Sequence, residues 1–229
     1  MSLLAFDTAT AATAVAVERR DGAVFEARHD PAPGERPGHA TRLLGLVEEA
    51  LAAAGVELSQ VRRVAVGTGP GSYTGLRIGV ATARGLAQAH GAQLVGVSSL
   101  RTLAEGAARS AGRAACLAVL DARRGEAFAA AWRDGEELLA PAAVSPSELQ
   151  RAAGKLPRPV LAVGEGALRF RQDIEPAGAA IPPDDDPIHR LSAAPMCRLA
   201  GAAEPAAREA VLPAYLRLPD AEIARRRRT

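Results

Sequence analysis

Val64-Ala-Val-Gly-Thr-Gly-Pro-Gly-Ser-Tyr-Thr-Gly-Leu-Arg-Ile-Gly-Val-Ala-Thr-Ala-Arg-Gly85 decides how this chain folds. Val64 to Val66 opens it as a buried strand, glycines and Pro70 turn it, and the residues from Tyr73 onward continue as a helix. Gly71, Gly75, Gly79, Ala83 and Ala87 recur every four positions, and residues four apart share one helix face. A glycine inside a helix costs about 1 kcal/mol relative to alanine. Gly75 and Gly79 therefore imply a compensating gain from the close approach of another backbone, in this chain or in a partner. Ser72 or Thr74 is placed to cap the helix.

Downstream, Leu94 to Val97 is a second apolar strand followed by a helix of about ten residues. Strand, helix and strand of these lengths imply a parallel, right-handed crossover. Upstream, Leu3 to Phe6 is a strand ending at Asp7. The apolar runs Ala14–Val17 and Ala23–Ala27, split by Asp21-Gly22, read as a hairpin. His39 to Ala54 has helical spacing and Gly55 to end it. Its apolar residues Leu43, Leu44, Leu46, Val47 and Leu51 cover more than one stripe, so one side suits a sheet and another suits a second helix.

The second half repeats this opening. Cys116 to Leu120 is a strand ending at Asp121, Ala127 to Trp132 follows, and Asp134-Gly135 supplies the next turn, which suggests an internal duplication. Ser145 to Gly154 reads as a capped helix, Val160 to Val163 as a strand, Gly178 to Pro187 as a loop and Ser192 to Ala203 as the last helix. Pro213 to Leu218 reads as a terminal strand or extended arm, and Arg225 to Arg228 as a basic tail.

The 229 residues, 48% of them apolar, are enough for one large domain or two small ones. A formal net charge of +2 gives the whole chain no strong pull on nucleic acid or membrane. Lys155 is the only lysine, which disfavours lysine-dependent phosphate chemistry elsewhere in the chain. Two cysteines, Cys116 and Cys197, cannot build a disulfide framework. The N-terminus lacks a basic segment ahead of an apolar one, and no apolar run nears the roughly 20 residues that span a bilayer. A cytoplasmic protein is the expectation.

The segments Leu3-Leu-Ala-Phe-Asp-Thr-Ala-Thr10, His39 at a helix start, Gly67-Thr-Gly-Pro-Gly-Ser-Tyr-Thr-Gly-Leu-Arg-Ile-Gly79 and Leu94-Val-Gly-Val-Ser-Ser-Leu100 closely resemble the TsaB (YeaZ) family. Leu120-Asp-Ala-Arg-Arg-Gly-Glu126 and Pro213-Ala-Tyr-Leu-Arg217 fit it too. The resemblance implies an α/β, actin-like and sugar-kinase-like fold of two related halves, residues 1–103 and 104–220, before a tail at 221–229. It implies a non-catalytic subunit that pairs with its paralogue TsaD. With TsaE, that pair transfers threonylcarbamoyl to N6 of adenosine 37 in ANN-decoding tRNAs. TsaD-like proteins carry a His-x-x-x-His metal site after the Leu-Val-Gly-Val strand. The matching positions here are Ser99 and Leu103, and a leucine cannot ligate a metal. No cofactor is expected on this chain alone, whereas ATP or ADP is expected at the joint surface.

Two regions are the candidate sites. Asp7, Thr8 and Thr10, with Asp121 in the repeat, form a possible phosphate or Mg²⁺ loop, vestigial or active. The second half offers only Asp121-Ala-Arg-Arg-Gly125 where a glycine-rich phosphate loop belongs. Gly67 to Gly75 lacks the Gly-Lys-Ser/Thr of a P-loop. The other site is a partner-binding face made by His39, Leu43, Leu46 and Val47 with Leu76, Gly79, Val80 and Ala83. It would take TsaD or, in its absence, a second copy. The competing function is a stand-alone ATPase or phosphotransferase using Asp7 and Asp121. A peptidase would need a metal pair or an activated nucleophile that the sequence does not supply.

Overall fold

The computed structural model describes residues 1–32 and 34–217. Strands β1 (Ser2–Asp7), β2 (Thr13–Glu18) and β3 (Val24–His29) form an antiparallel meander. Gly22 takes φ +85° in the β2–β3 turn, the conformation that an Asp-Gly pair serves. Helix α1 (His39–Ala54) ends at Gly55, which is left-handed at φ 63°. Strand β4 (Val61–Gly69), helix α2 (Tyr73–His90) and strand β5 (Gln93–Ser98) make the parallel crossover. Ser72 caps α2, its Oγ accepting from the Gly75 amide at 3.2 Å. The sheet order is β3-β2-β1-β4-β5.

Helix α3 (Ser99–Ala111) leads to strands β6 (Ala115–Arg123), β7 (Glu126–Arg133) and β8 (Glu136–Val144). Helix α4 (Pro146–Lys155) and strand β9 (Val160–Val163) complete a second sheet of order β8-β7-β6-β9. Both sheets share the arrangement of three antiparallel strands with a parallel fourth beside the first. The register repeats as well, with Asp7 opposite Ala14 and Asp121 opposite Ala127. This is the duplicated actin-like architecture. Two short helices, α5 (Glu165–Arg169) and α6 (Arg171–Ile174), occupy the stretch between the Val160–Val163 strand and the Gly178–Pro187 loop, to which the sequence reading assigned no element.

Helix α7 (Ala194–Ala202) is shorter than expected and does not stay with the second half. Its Met196, Cys197 and Ala200 pack with Leu3, Ala5, Ala16 and Val95 of the first sheet. Residues 206–214 follow it across the same half, and Leu216 and Arg217 then reach the second half. The Ala206 amide donates to the Leu94 carbonyl at 2.9 Å, and that of Ala214 to Thr68 at 2.7 Å. A division at residue 103 thus separates the two sheets but not the packing units. The cause is the open edge of β5 and the bare flank of α2, which this returning segment covers while burying Val211. Residues 211–217 form an extended arm and no strand. Leu218 and the basic tail lie outside the described residues.

The core follows the same logic. Helix α1 lies over β2 and β3, α2 over β4, and α3 over the second sheet. Leu4, Phe6, Leu76 and Leu117 are fully buried, each contributing about 1.5–3 kcal/mol of transfer free energy.

Candidate functional site

The end of β1 meets the start of α2 in a close backbone joint. Added Cβ atoms on Gly71 and Gly75 would run into the carbonyl oxygens of Ala9 and Thr8, and one on Gly79 would stand 2.5 Å from Thr8 Oγ1. Thr8 Oγ1 donates to the Gly75 carbonyl at 2.8 Å and closes the joint. The three glycines spaced four apart are therefore explained within the chain. His39 lies beside it, buried, with Nδ1 2.8 Å from Thr13 Oγ1. Burial depresses the His39 pKa, opposed in part by the Thr10 backbone.

Asp7 is sealed. Its Oδ1 accepts from the Ala9 amide and its Oδ2 from Ser99 Oγ, both at 2.6 Å. A Cβ on Gly67 would collide with this carboxylate, so glycine makes room for it. Burial pushes the Asp7 pKa above its ordinary value, against the two hydrogen bonds. Thr8 is fully buried, whereas Thr10 reaches the rim of a cleft of about 470 Å³ between the halves.

Asp121 lines that cleft from the other side. Its Oδ2 lies 3.3 Å from Arg169 Nη1 and 3.6 Å from Arg123 Nη1, two cations already against one carboxylate. Glu165 shares the wall, its pKa raised chiefly by burial and opposed by Arg123. The structure thus separates the expected phosphate-loop residues. Asp7 and Thr8 are internal, Thr10 and Asp121 face the cleft, and the β6–β7 turn offers Arg123-Arg124-Gly125 in place of a run of backbone donors. Among the described residues no three or more His, Cys, Asp or Glu side chains are grouped to hold a metal.

Comparison with known proteins matches the family model of TsaD, tRNA N6-adenosine threonylcarbamoyltransferase, over residues 35–165. The tRNA threonylcarbamoyladenosine biosynthesis protein TsaB of Escherichia coli is 42% identical over 59% of this chain, a stretch that spans 57% of that protein. The TsaB of Haemophilus influenzae is 36% identical over 56% of the chain and 52% of its own length. The chain therefore spans about half the length of these two relatives. The structure of YeaZ from Pseudomonas aeruginosa superposes with a TM-score of 0.75 at 31% identity, over 93% of this chain and all of that one. The chain belongs to the TsaB/YeaZ family.

Two structural points bear on this TsaB-family chain. First, Ser99 and Leu103 are both buried, the one bonded to Asp7 and the other packed with Cys116, Ala118 and Leu120 of β6. Second, the partner face expected on α1 and α2 needs correction. His39, Leu43, Leu46, Val47, Leu76, Gly79, Val80 and Ala83 are all buried in this chain. The sheet and the Thr8–Ala9 backbone already cover them, so these side chains are core. What stays open is the opposite side of both helices. Leu44 is 55% exposed there, and nothing lies within 4 Å of a Cβ built on Gly45 or Gly85. Helical periodicity carries both patterns, and sequence alone did not tell the inner stripe from the outer one. No helix of the described residues is long and apolar enough to cross a membrane.

Proposed function

We propose that this TsaB-family protein is a non-catalytic, activating subunit of the assembly that transfers threonylcarbamoyl to N6 of adenosine 37 in ANN-decoding tRNAs. It binds TsaD through the outer faces of α1 and α2, with TsaE and ATP or ADP meeting the pair at the joint surface. Without TsaD, the same face pairs two copies of the chain. The observation that carries the non-catalytic reading is the sealing of Asp7. A carboxylate locked beneath Gly67 and bonded to Ser99 is not free to hold hydrated Mg²⁺, so the competing ATPase loses one of its two aspartates. The open space over Gly45 and Gly85 and the exposure of Leu44 support the docking face.

The test is reconstitution of tRNA modification from TsaD, TsaE and threonylcarbamoyl-adenylate, with and without this chain. Dependence on the chain, with no ATP turnover by the chain alone, is the expected result. Equal modification without it overturns the reading, as does ATP turnover by the purified chain that disappears in Asp7→Ala.

A further inference from the structure

The sequence holds two tyrosines, and the fold stacks both of them on the surface. The rings of Tyr73 and Tyr215 are 5.0 Å apart at 34°, and the two side chains are 41% and 44% exposed. The Arg77 guanidinium lies 5.2 Å from the Tyr73 ring centre, and its Nη1 donates to the Tyr73 hydroxyl at 2.7 Å. No part of the core uses this stack. Gly75 of α2 is buried against Thr8 and His39, whereas Arg77 lies about 200° further round the helix, so the stack is on the solvent side of α2.

A second oddity stands across the same cleft. Arg123 and Arg124 take φ 64° and 52° at the β6–β7 turn, a left-handed conformation that glycine or asparagine fills at lower cost. Both are exposed, and Arg123 lines the cleft with Tyr73 and Tyr215. Arg217 joins the two sides, donating to the Arg123 carbonyl at 3.4 Å and pairing with Glu126 at 3.0 Å. Local backbone strain retained in favour of charged side chains points to a ligand. Exposed aromatic and guanidinium planes beside arginines are what unpaired bases and their phosphates require.

We infer that Tyr73, Tyr215 and Arg77 form a stacking platform for an unpaired base of single-stranded RNA, with Arg123, 72% exposed at its side chain and 3.6 Å from Asp121, turning to hold the adjoining phosphate. This inference rests on the proposed place of the chain in tRNA modification, where the target adenosine lies in a loop. The probe is a short stem-loop RNA with 2-aminopurine in the loop, titrated with the full chain and compared with the same strand in a duplex. The loop should bind more tightly than the duplex and its fluorescence should fall. Tyr73→Ala and Tyr215→Ala should each weaken binding about tenfold or more, and Tyr73→Phe should retain it. Arg123→Gly should reduce the salt slope by about 1 while leaving the melting temperature unchanged or raised. Arg77→Ala, at an exposed position, serves if a tyrosine variant does not fold.

Binding that is equal for loop and duplex, or unmoved in the variants, overturns the inference. Loss of TsaD co-elution in Tyr215→Ala with RNA binding intact would make the platform a protein-docking patch instead. If modification still requires the chain while RNA affinity is unmoved, only the platform fails. If the loop binds as stated but modification does not need the chain, only the subunit role fails.

Discussion

The Ser99 hydroxyl donates to Asp7 Oδ2 across 2.6 Å, joining the first residue of α3 to the last residue of β1. The pair is internal and holds a carboxylate that water does not reach. Folding raises the Asp7 pKa above 3.8 because burial outweighs its two hydrogen bonds. The native state then binds this proton more tightly than the unfolded chain does. Stability is therefore lost from this group as pH rises from about 3.8 through the native value, and the penalty is complete above it. Asp7→Asn removes the penalty and keeps an acceptor for Ala9. Its gain over the native chain should grow through that window and then level off. Urea midpoints of both proteins against pH check this. A difference that stays flat, or shrinks as pH rises, contradicts it.

The glycines of α2 should divide by the side they face. Gly79→Ala places a methyl 2.5 Å from Thr8 Oγ1 and should cost about 1–3 kcal/mol, and Gly79→Arg should not fold. Gly85→Ala enters open space and should stabilise by about 1 kcal/mol. Gly85→Arg and Leu44→Glu should leave the melting temperature near that of the parent protein while weakening co-elution with TsaD. Melting curves and size-exclusion chromatography separate the two classes. Gly79 tolerant of alanine, or Gly85→Arg unfolded, would reverse the assignment of faces.

How far the sequence led depends on which signal each residue carries. The strand end at Asp7, the Asp21-Gly22 turn, the Ser72 and Ser145 caps and the Gly55 stop were legible because each is a local preference of the backbone, whereas the strand expected to end at Asp121 runs on to Arg123. The first sheet and its crossover followed from them. The side of α2 that meets solvent did not, because Gly75 and Gly85 look alike until Thr8 is seen against one of them. Tertiary contact is likewise what took α7 to the first sheet, a choice that apolar spacing in Met196, Cys197 and Ala200 does not encode. Helix α5 escaped notice because its five residues are too few to show a period. The cleft pair of Asp121 and Arg169 joins residues 48 positions apart, beyond any local pattern.

Both cysteines should be inert in the folded protein. Burial pushes the Cys116 and Cys197 thiols up to about 12, far from the thiolate that alkylating reagents attack. Iodoacetamide at neutral pH should leave native protein unlabelled and modify both sites in denaturant, as read by intact mass. Rapid labelling of Cys197 in native protein would mean that α7 detaches from the first sheet.

The arm at 206–217 should depend on Arg84. Its Nη2 donates to the carbonyls of Val211 at 2.7 Å and Glu209 at 3.0 Å, tying the arm to the flank of α2. The Ala214–Thr68 bond and the Tyr73–Tyr215 contact lie further along the same path. Arg84→Ala removes charge-assisted bonds that are partly shielded from water, at a cost of about 1–2 kcal/mol. The change should be local. Hydrogen exchange should rise over residues 206–217, and trypsin should cut sooner at Arg208, while α3 and the second sheet keep their protection. Unchanged exchange in the arm would show that Val211 in its pocket against Gly96 holds it without Arg84. Raised exchange across both sheets would show instead that the arm is required for the whole fold.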